Sequence, residues 1–403
     1  MRVSHLLFLY LSAMKCVEKF ETIYHKSPVG TSYCPYRVCP IGAHVDHQQG
    51  RVTGFAIDKG IHIAFSPKLN GVVELASLQF DKRAQWHVNS VFETKQGDWA
   101  DYLRGATIEL GKHYPLRNGI SGVIEGTMPI GGLSSSAAVT ICFLSALCRI
   151  NNLHPSQAEI IDMALHAETD YVGVSVGKLD QSCEVYSRAR ELLYLDTKDD
   201  SYELIPAAPG MKPWKIAVFF SGLERNLAGS KFNMRVDEVR SAAYALMAYS
   251  GMEYGKFKET HLRDVPIEIY NQYKDRLPET WRRRAEHFYT EQERVIAGAE
   301  AWRKGDIEAY GRLSTLSGSS SINNWETGSP ELKALYEIIV RQDGVYGGRF
   351  SGAGFKGCCM ALIDPSYEEA IASVVKAEYL KLFPDLKDKY LYCGCNSSDG
   401  VMF

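Results

Sequence analysis

The sequence predicts an α+β fold divided into two domains. In both halves, strand-like segments rich in Val, Ile and Phe alternate with helical segments that would return over one face of a sheet. The chain has 403 residues, more than the roughly 100–200 of a typical domain, and its pattern changes near Pro206. We therefore expect an N-terminal domain over residues 14–205 and a C-terminal domain over residues 206–403.

The elements of the first half are predicted from periodicity, turn residues and helix caps. Asn70-Gly71 has the pattern of a turn between strands, and Ser156 with Glu159 has the spacing of a capping box. The predicted elements are strands over Val52–Phe65, interrupted at Gly60, and over Val72–Phe80, with helices from Met14, from Asp98 to Gly111, over Leu133–Ile150 and after Ser156.

The second half combines long helices with short, continuously apolar strands. Ser329-Pro330-Glu331 is a strong helix start, because it supplies an N-cap, a proline at the first position and an acid in the first turn. The predicted elements are strands over Lys215–Phe220, Val345–Phe350 and Cys359–Ile363, with helices over Arg283–Lys304 and Ile307–Leu316, from Ser329, and from Ser366 with Glu369.

The composition limits the classes of partner. The chain is 45% apolar and 23% charged, and its net charge of −3 gives no reason to expect nucleic acid or an anionic membrane as a partner. The ten cysteines lack the paired spacing of a zinc site, so we expect reduced, mostly buried thiols in a cytoplasmic protein. The oligomeric state stays open, and a monomer is compatible with the sequence.

The N-terminus has two readings. The apolar run Leu6–Leu11 could belong to a short signal peptide, but the run is brief, follows His5 and is succeeded by Lys15. We favour a cytoplasmic start that leads into the helix from Met14. No stretch of about 20 apolar residues follows, so no membrane span is predicted.

Two glycine-rich segments have the composition of ligand-binding loops. The first is Met128-Pro-Ile-Gly-Gly-Leu-Ser-Ser-Ser-Ala-Ala138, where glycines and three serines open an apolar helix and could bind phosphate without a P-loop lysine. The second is Ser351-Gly-Ala-Gly-Phe-Lys-Gly-Cys358, which lies between two predicted strands. Read singly, the first could also be a serine-capped core helix, and the second a tight turn.

Two further segments carry candidate chemical groups. Glu168 and the pair Asp180-Gln181 could supply a metal ligand and a base, or they could be surface charges. The segment from Tyr36 to Gly50 contains Arg37, His44, Asp46 and His47, which could bind a metal or hydrogen-bond the hydroxyls of a polyol.

Together these four segments resemble the GHMP kinases, and specifically the galactokinase branch, in family order and spacing over about residues 14 to 365. The resemblance implies a mixed-sheet N-terminal domain with a left-handed βαβ unit and a ferredoxin-like C-terminal domain. Nucleotide and sugar would bind in the cleft between them. It also implies transfer of phosphate from ATP, with Mg²⁺, to the anomeric hydroxyl of a sugar.

The resemblance also assigns roles to individual residues. Asp180 would be the catalytic base and Arg37 its charged partner. The sugar would be bound by position 43, His44, Asp46, the backbone at Gly177, Asp180 and position 232, which is Phe232 here where the family often has Tyr. Ser136 and Glu168 would hold Mg²⁺. The nucleotide phosphates would lie against Gly131, Gly132, Ser134, Ser135, Ser136, Gly352 and Gly354.

One departure from the galactokinase pattern concerns the substrate. Ala43 stands where galactokinases carry a Glu that meets the C6 hydroxyl of the sugar. A carboxylate there would repel a C6 carboxylate by about 1–4 kcal/mol at 4 Å. With Tyr36 before Arg37, the segment resembles that of the plant galacturonokinases and implies D-galacturonate as the acceptor. Lys178, Arg225 and Lys356 are candidate cations for its carboxylate.

Other readings remain open from the sequence. A sugar 1-kinase acting on galactose, N-acetylgalactosamine or arabinose is the nearest alternative. A non-catalytic sugar sensor on the same fold belongs to another class, although the presence of Arg37, Asp180 and Glu168 argues against it. A metal-dependent hydrolase built on His44, Asp46 and His47 is more distant.

Overall fold

A computed structural model describes residues 14–223 and 230–402 of the chain. The apolar run Leu6–Leu11 and the candidate cation Arg225 therefore lie outside the described residues. Among the residues that are described, no helix has the length and apolar character needed to cross a bilayer.

The first half of the chain forms a mixed β-sheet covered by helices. Its elements are α1 (residues 14–24), β1 (Gly30–Val38), β2 (Arg51–Lys68), β3 (Val72–Ser77), β4 (Ala84–His87), α2 (Asp101–His113), β5 (Gly119–Gly126), α3 (Ser135–Asn151), α4 (Gln157–His166), α5 (Leu179–Tyr186), β6 (Glu191–Asp196) and β7 (Ser201–Pro206).

The sheet has the strand order β4-β3-β5-β2-β6-β7, and β1 pairs along β2. β3 and β5 are parallel, whereas the other pairs are antiparallel, so the predicted mixed sheet is confirmed. β2 runs through Gly60 as one strand, but its pairing with β1 is irregular at that residue, because Pro35 pairs with Gly60 and the next residue, Tyr36, pairs with Ile57, which leaves two extra residues on β2. A Cβ at Gly60 would lie 2.1 Å from the carbonyl oxygen of Cys34, so only glycine fits there.

The second half adds a smaller sheet and a group of long helices. Its elements are β8 (Lys215–Phe220), α6 (Ser230–Ser250), α7 (Ile267–Tyr273), α8 (Glu279–Arg303), α9 (Ile307–Asn323), α10 (Pro330–Val340), β9 (Val345–Phe350), β10 (Cys358–Ile363), α11 (Glu368–Leu382), β11 (Leu391–Cys395) and β12 (Ser397–Ser398).

The second sheet is antiparallel with the order β11-β8-β10-β9, which is the ferredoxin-like arrangement that the sequence predicts. The final strand, β12, lies outside this second sheet and pairs with β2 of the first sheet. The end of the chain thus adds to the N-terminal sheet, and the boundary near Pro206 stays a prediction.

Helix starts follow local chemistry closely. The capping box of Ser156 and Glu159 forms, and the side chain of Ser329 accepts a hydrogen bond from the backbone N–H of Leu332. The predicted cap at Ser366 is wrong. There the Asp364 side chain accepts from the N–H of Ser366 in a short 3₁₀ turn, and α11 begins two residues later.

Residues from both halves share one core. Trp302 of α8 is fully buried, packs on Phe55 of β2, and donates a hydrogen bond to the carbonyl oxygen of Ile205 at 3.0 Å. α9 in turn lies so close to β9 that a Cβ at Gly311 would be 2.1 Å from the carbonyl oxygen of Tyr346. The helices α8 and α9 therefore fix the second sheet relative to the first.

Two helix glycines provide a matched test of that contact. Gly311→Ala should lower the melting temperature clearly, because the helix and strand must separate to admit a methyl group, at about 1–3 kcal/mol. Gly111→Ala should leave it unchanged or raise it, because Gly111 is exposed in α2 and alanine favours helix by up to about 1 kcal/mol. Thermal denaturation checks both, and equal effects would contradict the close packing of α9 on β9.

Candidate active site

The phosphate loop meets the late glycine-rich loop at the start of α3. Gly131 and Gly132 adopt φ values of 151° and 89°, which only glycine adopts readily. A Cβ at Gly352 would lie 2.9 Å from the Cα of Gly132, so the two loops pack backbone against backbone. Ser351 fixes this contact by donating its hydroxyl to the carbonyl oxygen of Gly132 at 2.6 Å.

Ser134 precedes α3 but does not cap it. Its backbone is left-handed, with φ of 63°, and its hydroxyl donates to the Asp180 carboxylate instead. Within the described residues, no side chain caps the first turn of α3. The N–H groups in the first turn of α3 therefore have no capping side chain, as a phosphate-binding helix start requires. The alternative reading as a serine-capped core helix does not fit.

Buried Arg37 forms an ion pair with the partly buried Asp180 in the cleft. Arg37, at the end of β1, donates from Nε to Asp180 at 2.6 Å and from Nη1 to the carbonyl oxygen of Gly132 at 3.0 Å. Burial alone would lower the pKa of Arg37, but the Asp180 carboxylate raises it above its ordinary value. The arginine is thus permanently charged and holds Asp180 beside the phosphate loop.

Glu168 lies beside this pair and is bound by two neighbours. The Ser136 hydroxyl donates to one of its oxygens at 3.0 Å, and the Gln181 amide donates to the other at 3.2 Å. Hydroxyl and carboxylate oxygens are ligands that suit Mg²⁺, which commonly takes one or two protein ligands together with substrate phosphates. The donor set of Ser136 and Glu168 therefore fits that ion.

The segment after β1 that contains Gly42 and Ala43 is held from below by α8. Glu291 accepts a hydrogen bond from the N–H of Gly42 at 2.6 Å, and His287 Nε2 donates to the carbonyl oxygen of Ala43 at 3.0 Å. Their spacing of four residues places both on one face of the helix. Sequence analysis missed them, because nothing local to α8 connects it to a segment more than 240 residues earlier.

Asp46 links the same segment to α5. Its carboxylate accepts from the N–H of Leu179 at 3.3 Å, and a Cβ at Gly177 would lie 2.5 Å from the Asp46 carbonyl carbon. Burial, followed by the nearby Asp180 charge, raises the pKa of Asp46 to about 6. Gly177 therefore serves the close approach of two backbones and does not itself line the cleft.

Three aromatic rings cluster where His44 and Phe232 line the cleft. The His44 ring stacks on Trp325 with centroids 5.0 Å apart and planes 6° apart, and Phe232 lies 6.5 Å from both rings. His44 has a left-handed backbone with φ of 64°, and its Nε2 is buried without a hydrogen-bond partner among the described residues. Trp325 was missed by sequence analysis, because it lies in a loop without a recognisable motif.

The cleft collects nearly all of the predicted site residues. Gly177 and Gly354 are the exceptions, since Gly354 packs against Thr327 and Phe350 instead. The predicted residues that line the cleft are Arg37, Ala43, His44, Asp46, Gly131, Gly132, Ser134, Ser135, Ser136, Glu168, Asp180, Phe232 and Gly352.

Two of the candidate cations for a sugar carboxylate, Lys178 and Lys356, do not line this cleft. Lys178 forms ion pairs with Asp162 at 2.9 Å and Asp200 at 2.7 Å, and Lys356 is exposed. Of the described residues that line the cleft, Arg37 is the only lysine or arginine. The described part of the chain also contains no group of three or more His, Cys, Asp or Glu side chains placed to hold a metal, which disfavours the hydrolase reading.

An apolar pocket opens on the other side of the phosphate loop and shares Ser135 and Ser136 with the cleft. Phe80 and Trp99 stack there, with centroids 5.9 Å apart and planes 1° apart. Flat aromatic surfaces next to a phosphate site suit a purine base. Trp99 belongs to a segment without a recognised nucleotide motif, so sequence analysis left this pocket unassigned.

Comparisons with known proteins agree with this geometry. Residues 101–188 match the GHMP kinases N terminal domain, residues 299–381 the GHMP kinases C terminal domain, and residues 18–67 the galactokinase galactose-binding signature. A galacturonokinase from Arabidopsis thaliana is 39% identical over 380 residues, covering 89% of each chain. A galactokinase from Roseiflexus sp. (strain RS-1) is 30% identical over 386 residues, covering 95% of each.

Solved structures give the same result. Lactococcus lactis galactokinase complexed with galactose superposes with a TM-score of 0.87 at 26% identity, covering 98% of this chain and 99% of that one. A Methanococcus jannaschii mevalonate kinase, at 17% identity and a TM-score of 0.61, shares the fold. The chain thus belongs to the GHMP kinase family and is a sugar kinase of the galactokinase and galacturonokinase type.

Proposed function

We propose that this kinase transfers the γ-phosphoryl group of ATP to the anomeric hydroxyl of D-galacturonate, giving galacturonate 1-phosphate. Ala43 is the observation that carries the proposal. It lines the cleft beside His44 and Asp46, and it leaves position 43 without a carboxylate that would repel a uronic acid. The 39% identity with a galacturonokinase supports the same substrate.

The geometry supports specific roles in this reaction. Asp180 would accept the proton of the C1 hydroxyl, while Arg37 holds the Asp180 carboxylate in position and offsets negative charge that develops on the transferred group. The N–H groups of Gly131 to Ser135 would bind the ATP phosphates, and the pocket of Phe80 and Trp99 would hold the adenine. Most of the catalysis would come from positioning, as in other phosphoryl transfers.

Mg²⁺ would be held by Ser136 and Glu168 together with ATP. When it is bound, the ion neutralises negative charge on the phosphates. Gln181 positions Glu168 for this role, since its amide donates to the carboxylate oxygen that Ser136 does not contact.

An acceptor panel tests the substrate. With Mg-ATP, we expect kcat/KM to be highest for galacturonate, lower for galactose and lower for glucuronate. ADP release measured with each sugar checks this order. A higher kcat/KM for galactose would identify the enzyme as a galactokinase, and sugar binding without ADP release would identify a sensor.

Replacing the proposed base tests the mechanism. Asp180→Asn should reduce kcat by about 10²–10⁴-fold, because an amide can still accept a hydrogen bond from Arg37 and donate one to the Ser134 hydroxyl but cannot take a proton. Sugar affinity, measured by calorimetry, should remain within a few-fold. Asp162→Asn, which removes a half-exposed carboxylate paired with Lys178, is the control and should change little. Near-normal kcat in Asp180→Asn would exclude Asp180 as the base.

A pair of substitutions at position 43 tests the basis of specificity. Ala43→Glu should lower kcat/KM for galacturonate much more than for galactose, by a further factor of roughly five to several hundred from 1–4 kcal/mol of repulsion. Ala43→Gln has nearly the same shape without the charge, so it separates repulsion from steric effects. An equal loss on both sugars in Ala43→Glu would show that position 43 does not face C6.

A further inference from the structure

A uronic acid brings a negative charge into a cleft with little free positive charge. Arg37, the one lysine or arginine lining the cleft in the described chain, is already bound to Asp180 and Gly132. The carboxylates that line the cleft are Asp46, Glu168 and Asp180. A C6 carboxylate that leaves water here needs a new counter-charge.

His44 is placed to supply it. The residue follows Ala43 directly, lines the cleft and is only 6% exposed, and its Nε2 has no hydrogen-bond partner among the described residues. Its ring lies flat on the face of Trp325, and an indole face attracts a cation. The Trp325 face is therefore one contact that would favour a charged imidazole over a neutral one.

The imidazole is neutral before the sugar arrives. Burial lowers the pKa of His44 well below its ordinary value, and the positive or potentially positive groups of Arg349, His287, His47 and Arg37 lower it further. The positive charge of Arg349 is partly offset by the carboxylate of Glu291, which lies 3.6 Å away.

The neighbouring histidines are less suited to this role. His287 already uses both ring nitrogens, because its Nε2 donates to the carbonyl oxygen of Ala43 and its Nδ1 is hydrogen-bonded to the hydroxyl of Ser320. His47 also has a buried Nε2 without a partner among the described residues, but it does not line the cleft.

We infer that the C6 carboxylate of the acceptor binds at His44 and that His44 takes up one proton from solvent as the uronate binds. The inference rests on the proposed function, since it concerns the same acceptor. No covalent bond changes: the imidazole gains the proton and its positive charge, and this charge faces the carboxylate. Selectivity for a uronate would then come from a titratable group instead of a permanent cation.

Calorimetry of sugar binding without ATP tests the inference. Galacturonate titrated at pH 7 in phosphate and in Tris, which differ in ionisation enthalpy, should show uptake of about one proton, and galactose about none. The Kd for galacturonate should rise up to tenfold per pH unit while that for galactose stays flat. Proton uptake by Asp46, whose pKa is already raised to about 6, would persist when His44 is replaced and is therefore distinguished by the variants.

Two variants identify the group that takes the proton. His44→Asn tolerates the left-handed backbone and still donates a hydrogen bond, so it should lose proton uptake and should lose at least tenfold more affinity for galacturonate than for galactose. His47→Gln is the matched control and should keep the uptake. A circular dichroism spectrum like that of the parent confirms folding.

Each other outcome overturns the inference. Tight galacturonate binding without proton uptake would mean that a permanently charged group binds the carboxylate. Loss of galacturonate binding in Arg225→Met would identify Arg225 as that group. Uptake that persists in His44→Asn would mean that the sugar or another group carries the proton. Absence of galacturonate binding would contradict the proposed substrate as well as the inference. Tight galacturonate binding without proton uptake would contradict the inference alone.

Discussion

The buried contact of Arg37, Ser134 and Asp180 organises the whole cleft. Arg37 comes from β1, Ser134 from the phosphate loop and Asp180 from α5, so three distant segments converge on one carboxylate. A buried charge of this kind is stable only when its hydrogen-bonding capacity is filled. Arg37 is also anchored to Gly132, which in turn accepts from Ser351 of the late glycine loop. The base, the phosphate loop and the second domain are therefore placed by one connected network.

The sugar end depends on a second network that begins in α8. Glu291 is fully buried, and although burial alone would raise its pKa, Arg294, His287, Arg349 and a hydrogen bond from Ser317 hold the value at about 2. A permanently ionised Glu291 can bind the N–H of Gly42 strongly. With His287 on the next carbonyl, it fixes the backbone that turns His44 into a left-handed conformation.

Sequence reasoning reached the parts of the site that are encoded locally. Cap residues and glycines determine the backbone conformation of the few residues next to them. The helix starts at Ser156 and Ser329 and the glycine-rich loop before α3 could therefore be predicted. A resemblance over four motifs then placed Arg37 and Asp180 in one cleft.

Contacts that depend on tertiary packing escaped prediction. Trp325 and His287 act through residues far away in the sequence, and no local pattern marks them. Lys178 was a candidate cation because it precedes Asp180 by two residues, but on the structure it faces Asp162 and Asp200. Spacing along the chain shows which residues are neighbours in sequence and not which way their side chains point.

The charge balance of the cleft explains why a histidine suits a uronate better than a lysine would. A permanent cation next to Ala43 would lie within reach of Asp46 and Asp180 in the same cleft, and could pair with them whenever the sugar is absent. Such a pair would compete with Arg37 for the base and would have to break on every turnover. On the proposed substrate, a neutral imidazole on the face of Trp325 would leave both carboxylates undisturbed and would gain its charge only when the C6 carboxylate supplies the partner. The absence of a carboxylate at position 43 and the titratable ring at position 44 would then act together in the selection of a uronate.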